Sequence, residues 1–173
     1  MRWLALWLFA THLASANDTA QFTRNNQLVH PGNYREWIFL SSGLGMTYGP
    51  NAPAANSAKR FDNVYVNPSS YRKFARTGKW QDGTVFILEI RESESKGSIN
   101  QHGFYQTSIV ALEAHVRDSR RFPNGGSAFF DLKVEKQAAP SGALASGNRC
   151  EQCHIANGAV ENTFVQFYPE LVQ

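Results

Sequence analysis

Cys150-Glu151-Gln152-Cys153-His154 constrains this chain more than any other stretch. It reads C-x-x-C-H, the attachment signature of a c-type haem. In that chemistry two thiols add across the vinyl groups of the porphyrin, and the adjoining histidine ligates iron from one face. Cysteines three apart on a helical turn share one side, and the next residue follows round to point at the metal. Cys150 and Cys153 are therefore read as the thioether residues and His154 as the iron ligand, with one covalent haem c as cofactor. Whatever the chain folds into must leave room beside this motif for a large, flat group. Aromatic residues make up 13% of the sequence, which suits such a core and equally suits any aromatic-rich β fold.

Other uses of two cysteines fit less well. An exported protein ordinarily pairs them in a disulfide, but here only two residues separate them and a histidine follows directly. A thioredoxin-type dithiol belongs after an early strand of an α/β pattern, whereas this pair lies near the C-terminus, behind a run of strands. A zinc site needs a second pair of ligands, and the sequence holds no third cysteine.

The N-terminus reads as a processed segment. Met1-Arg2 gives a positive start, Trp3 to Ala10 is apolar, and Ala14-Ser15-Ala16 is a small-x-small cleavage site. Residues 1–16 are thus expected to be a secretory signal peptide. The apolar run is far shorter than the ~20 residues of a spanning helix, and Thr11-His12 interrupt it, so no membrane span is expected after processing. Cleavage removes one arginine and no acid, so the formal charge falls from +3 to +2. No block of Lys and Arg occurs, which gives no sign of a nucleic-acid partner. The remainder, 17–173, has the length of one domain.

Periodicity and turn residues give the expected elements. Asn17 to Val29 is polar and reads as a mobile lead-in. Tyr34, Trp37 and Ile38 fall at i, i+3, i+4, which predicts a helix over 33–40. Residues 41–57 read as a loop that forms a functional wall or a surface insertion. A strand follows at 61–66, then a helix opened by Asn67-Pro68 and stopped at Gly78. Strands are expected at 84–91, 104–117 and 128–134, the last two joined through Pro123-Asn124-Gly125-Gly126. The Ala-, Ser- and Gly-rich stretch 137–148 reads as a flexible tether delivering the haem motif. Helix is expected around 149–156, ended by Gly158, and 163–168 as a last strand or an extended cover. The fold class is α+β: a mainly antiparallel β-sheet with two or three short helices and a C-terminal haem segment.

Several stretches, in this order, resemble the cytochrome P-460 family, which includes the cytochromes c-prime-beta. They are Phe61-Asp62-Asn63-Val64-Tyr65-Val66-Asn67-Pro68, Thr77-Gly78-Lys79-Trp80-Gln81-Asp82-Gly83-Thr84, and Leu112-Glu113-Ala114-His115-Val116-Arg117-Asp118-Ser119 with Arg121-Phe122-Pro123. The C-x-x-C-H and Thr163-Phe164-Val165-Gln166-Phe167-Tyr168-Pro169 complete the set. The resemblance implies a periplasmic, mainly antiparallel β protein, commonly a homodimer, with a five-coordinate haem c ligated by histidine on one side. Enzymatic members oxidise hydroxylamine and carry a lysine bonded to the porphyrin edge, just before the Thr-Gly that ends the helix. Here Ala75-Arg76 precede Thr77, and arginine stays protonated and does not readily make that bond. Lys73 lies one helical turn earlier and Lys79 lies past the stop. Where the enzymes place a distal carboxylate, the alignment puts Ser108. The c-prime-beta branch lacks the lysine bond, caps the open iron face with aromatic side chains and binds small gases such as nitric oxide. This chain fits that branch better.

The expected function is an exported monohaem cytochrome that binds a small gaseous or nitrogenous ligand and exchanges electrons with a protein partner. Oxidation of hydroxylamine or nitric oxide at the haem is the alternative. A simple electron carrier with Met46 as sixth ligand is a second one. Phe39, Phe61 and Phe129 are candidate distal-cap aromatics, each with an ordinary core role as its competitor. Arg76 is a candidate haem-edge contact, through a propionate, or a solvated cation at a helix end. His30, His102 and His115 are read as structural rather than as ligands.

Overall fold

The computed structural model describes residues 18–47, 58–134 and 139–172; the expected signal peptide lies outside them. Strands β1 (Ile38–Leu44), β2 (Arg60–Val66), β3 (Thr84–Glu94), β4 (Tyr105–Arg117) and β5 (Ser127–Leu132) form one sheet in the order β1-β2-β3-β4-β5. Every neighbouring pair is antiparallel. Helix α1 (Pro68–Thr77) joins β2 to β3, and α2 (Arg149–Asn157) follows β5. This is the expected α+β class.

Alternation along each strand gives the sheet two faces. On the first, Val85, Ile87, Leu112, Ala114, Val116, Phe130 and Leu132 pack under the N-terminal segment through Leu28, Tyr34 and Trp37. On the second, Leu40, Val66 and Phe86 are covered by Phe74 and Trp80, at and just beyond α1, and by Val165 and Tyr168 of the C-terminal segment. The haem motif belongs to this second face. Phe86 pairs with His115, and His115 with Phe129, across three strands of it.

Four local expectations give way to tertiary contacts. Residues 33–40 are not a helix: a 3-10 turn at Tyr34–Glu36 leads straight into β1. Tyr34 and Trp37 enter the first core while Leu40 enters the second, so two cores, not one helix face, account for the apolar spacing. Ser41–Leu44, expected to be loop, complete β1. The lead-in is also structured, since Leu28 is 1% exposed and forms bridges with Phe22 and Ser141. The stretch before the haem motif is coil between 139 and 148 yet tied down: Ser141 exchanges backbone hydrogen bonds with Leu28, and Leu144 N–H donates to the Phe129 carbonyl.

Helix α1 starts and stops as its sequence dictates, with a difference at the cap. Pro68 opens it, and Gly78 closes it at φ 66°, donating to the Phe74 carbonyl at 2.7 Å. Asn67, fully buried, does not cap the helix with its side chain. Its Oδ1 accepts from Val85 N–H at 2.8 Å and its Nδ2 donates to the Gly83 carbonyl at 3.3 Å, which pins α1 to the start of β3.

Candidate haem site

The attachment motif occupies α2. Asn148 caps it, its side chain accepting from Glu151 N–H at 3.1 Å, while the Glu151 carboxylate accepts from Gly147 N–H. The reciprocal pair resembles a capping box and holds the first turn. Gly158 ends the helix by donating to the His154 carbonyl at 2.9 Å. None of the nine residues of α2 is buried, and Ile155 is 60% exposed. Cys150 and Cys153 are half-buried, unbridged thiols one helical turn apart. A helix this short has little stability of its own, and its cysteine side is free to pack against an apolar group.

His154 is fixed from several directions. Its Nδ1 lies 2.7 Å from the Asn162 carbonyl, an acceptor, so Nδ1 carries the proton and donates. That commits Nε2 to an available lone pair, the tautomer that iron ligation requires. Phe164, Phe129 and His115 surround the ring at centroid distances of 4.4, 4.7 and 4.9 Å. Burial pushes the imidazole pKa below its ordinary value, which favours the neutral, ligating form. Among the described residues no three His, Cys, Asp or Glu side chains converge as a metal site. A single prepared imidazole beside two thiols instead fits a metal that brings most of its own ligands.

The sheet supplies a floor. Continuing along the second face from Phe86 and His115, the next rows are Val64-Leu88-Glu113 and Asp62-Ile90-Ala111. Val64, Leu88, Ile90 and Ala111 are only half-buried. Glu113 stands near enough to Cys150 to raise its thiol pKa, an effect second to that of burial. Burial, and then the Asp131 and Asp62 carboxylates, raise the pKa of Glu113 itself. The surface next to the cysteines therefore joins four half-buried apolar side chains to a group of carboxyls, in which Glu113 is reluctantly ionised beside Asp131 and Asp62. The apolar side chains suit contact with a porphyrin plane.

The sequence-derived candidates are distributed unevenly. Cys150, Cys153 and His154 come together on α2. Phe129 reaches the site, packed against the His154 ring itself. Phe39 and Phe61 register with Tyr65 and Arg91, on the first face and away from α2. Phe39 is 49% exposed and packs on Tyr65. Arg76 is exposed in the last turn of α1. Met46 is exposed and folds against Gly43, whose lack of a side chain leaves room for its sulfur.

Reading the sequence did not single out His115, Glu113, Glu161 or Asn162 for the site. His115 is a buried imidazole stacked on Phe129 at 4.3 Å and 15°, with Nε2 unpartnered. Burial, then the neighbouring His154 and Arg117, drive its pKa well down, which favours its neutral form. The mixed strand face that carries Glu113 and His115 was the available signal: polar residues on a half-apolar face mark where a sheet meets something other than plain core. Asn162 acts through its carbonyl, which no side-chain pattern reports.

The family model for cytochrome P460 matches residues 31–165, and the chain belongs to that family. No curated protein matches the chain.

Proposed function

We propose that this member of the cytochrome P460 family is an exported monohaem c-type cytochrome whose iron, held by His154, keeps its other face open to a small neutral ligand such as nitric oxide. The observation that carries this reading is the His154 geometry: Nδ1 spent on the Asn162 carbonyl, Nε2 available, and two free thiols on the same helix. When bound, the haem supplies an iron that accepts a diatomic ligand and exchanges electrons. The chain's own residues do the rest. Cys150 and Cys153 tether the macrocycle. Asn162 and the ring cage of Phe164, Phe129 and His115 orient the imidazole and exclude water from it. Val64, Leu88, Ile90 and Ala111 offer an apolar floor.

An open sixth position is supported by the histidines and the methionine elsewhere. His102 is exposed on the β3–β4 loop, and His30 packs against Tyr34, over the first face. His115 is packed against the His154 ring itself, and Met46 folds on Gly43. Gas binding is favoured over hydroxylamine oxidation because Ala75 and Arg76 stand where the enzymes have their linking lysine. Export rests on the segment 1–16. A periplasmic location, a homodimer and an electron-transfer partner belong to the same reading.

Spectra of the purified ferrous protein test it. The expected result is a five-coordinate, high-spin haem covalently retained after denaturation, with a spectrum shifted by carbon monoxide and by nitric oxide. Replacing Cys150 and Cys153 by alanine should abolish covalent retention. A low-spin spectrum unmoved by either gas overturns the open-face reading. Sustained hydroxylamine turnover with an electron acceptor would replace it with the enzymatic one.

A further inference from the structure

The segment that presents the Asn162 carbonyl to His154 is a tight turn whose first central residue is poorly suited to it. Val160 and Thr163 bridge it, with Thr163 N–H donating to the Val160 carbonyl at 2.9 Å. Its two central residues, Glu161 and Asn162, have φ of 49° and 60°. Such a turn favours asparagine and glycine; glutamate is a poor choice for the first of the two positions. Something outside the turn must therefore hold it.

The Glu161 carboxylate makes that connection. Its Oε2 accepts from the Trp80 backbone N–H at 2.8 Å, and its Oε1 lies 3.3 Å from Arg117 Nη2. Arg117 Nη1 also donates to the Glu161 carbonyl at 3.2 Å. Two residues on, Thr163 Oγ1 accepts from Trp80 Nε1 at 3.0 Å and donates to the Val160 carbonyl at 2.7 Å. Trp80, just past α1, and Arg117, ending β4, thus grip the turn from two elements. Gly158 shows how close the fit is: a Cβ there would stand 2.6–2.7 Å from the His154 carbonyl and the Asn162 backbone.

We propose that Glu161 is a positioning residue for the iron ligand: its carboxylate strap fixes the turn so that the Asn162 carbonyl holds His154 Nδ1, and thereby sets the electron donation of the imidazole to iron. The inference rests on haem ligation by His154. A firm hydrogen bond at Nδ1 makes the ring a stronger donor and favours ferric iron, so loosening it raises the reduction potential.

The test compares wild type with Glu161→Gly, Glu161→Ala and Glu161→Gln by spectroelectrochemical titration, with thermal unfolding in parallel. Glycine suits the backbone conformation but has no carboxylate. Glutamine keeps an acceptor for Trp80 N–H and loses the charge facing Arg117. The expected result is a clear upward shift in potential for the glycine and alanine variants and a value near wild type for glutamine. A glycine variant with wild-type potential overturns the proposal, because the turn conformation alone would then suffice. Potentials unmoved in all three, with haem bound, overturn it as well. A wild-type protein that carries no haem overturns the ligation reading itself, and that outcome is separately visible before any variant is measured.

Discussion

At Gly158 the site depends on the absence of a side chain. The helix that carries His154 must end there, and the chain must turn back within van der Waals contact of Asn162 so that its carbonyl meets Nδ1. Gly158 has ordinary φ of −70°, so space, not conformational freedom, demands glycine. Gly158→Ala is expected to push the Asn162 turn away from α2 and to destabilise the protein by about 2 kcal/mol, the scale of overpacking in a close-packed interior. Denaturant midpoints check the stability. A midpoint equal to wild type would show that the turn gives way freely. The motif itself was legible at this scale, because spacing and residue type suffice for C-x-x-C-H. The carbonyl partner was not, since any residue could supply it and only the turn decides which one does.

The elements divide by how much of their stability is their own. Strands β3 and β4 were legible because long apolar and alternating runs suit only an extended, largely buried chain. Helix α1 was legible from Pro68 and Gly78. Tyr34, Trp37 and Ile38 have helical spacing, yet a 3-10 turn holds Tyr34 and pairing of β1 with β2 decides the conformation from Ile38 onward. Helix α2 has caps at both ends but no buried residue. Without haem, its nine residues rest on caps and on contacts with β5. In the protein with both cysteines replaced by alanine, backbone amides of Arg149–Asn157 are therefore expected to exchange orders of magnitude faster than those of β3 and β4. Hydrogen exchange read by mass spectrometry checks this. Equal protection in the two regions would mean that α2 needs no group to cover it.

For the whole molecule, the two faces of one sheet do different work. The second face carries the haem motif. The first hides a charge cluster around Glu89, which is 1% exposed. Tyr34 Oη donates to its carboxylate, as do Arg35, at 2.9 and 3.0 Å, and Arg91. Burial alone would raise the Glu89 pKa. The bonds from Arg91, Tyr34 and Arg35 outweigh it and bring it from 4.5 to about 2. A carboxylate whose folded pKa is depressed contributes stability that is full above its unfolded value and is lost as pH falls through the folded one. Stability is thus expected to fall between about pH 5 and pH 2, and Glu89→Gln should flatten that fall while lowering stability at neutral pH, since Arg91 would lose its buried partner. Urea unfolding at a series of pH values checks both. An unchanged acid slope in the variant would assign the loss to other groups.

The sequence by itself determined the C-x-x-C-H spacing, the strand-rich class and the order of the main elements. Each of these follows from local spacing: two thiols and an imidazole on one turn, alternation in strands, proline and glycine at helix ends. Tertiary structure alone decided which aromatic residues reach His154, because strand register places Phe129 beside it and sends Phe39 and Phe61 to the other face. It also decided that Asn162, held by a turn strapped through Glu161 to Trp80 and Arg117, commits the imidazole to its ligating tautomer. Apart from the His154–Asn162 bond itself, these contacts join residues tens of positions apart, and neither propensity nor spacing carries information over that range until the sheet has folded.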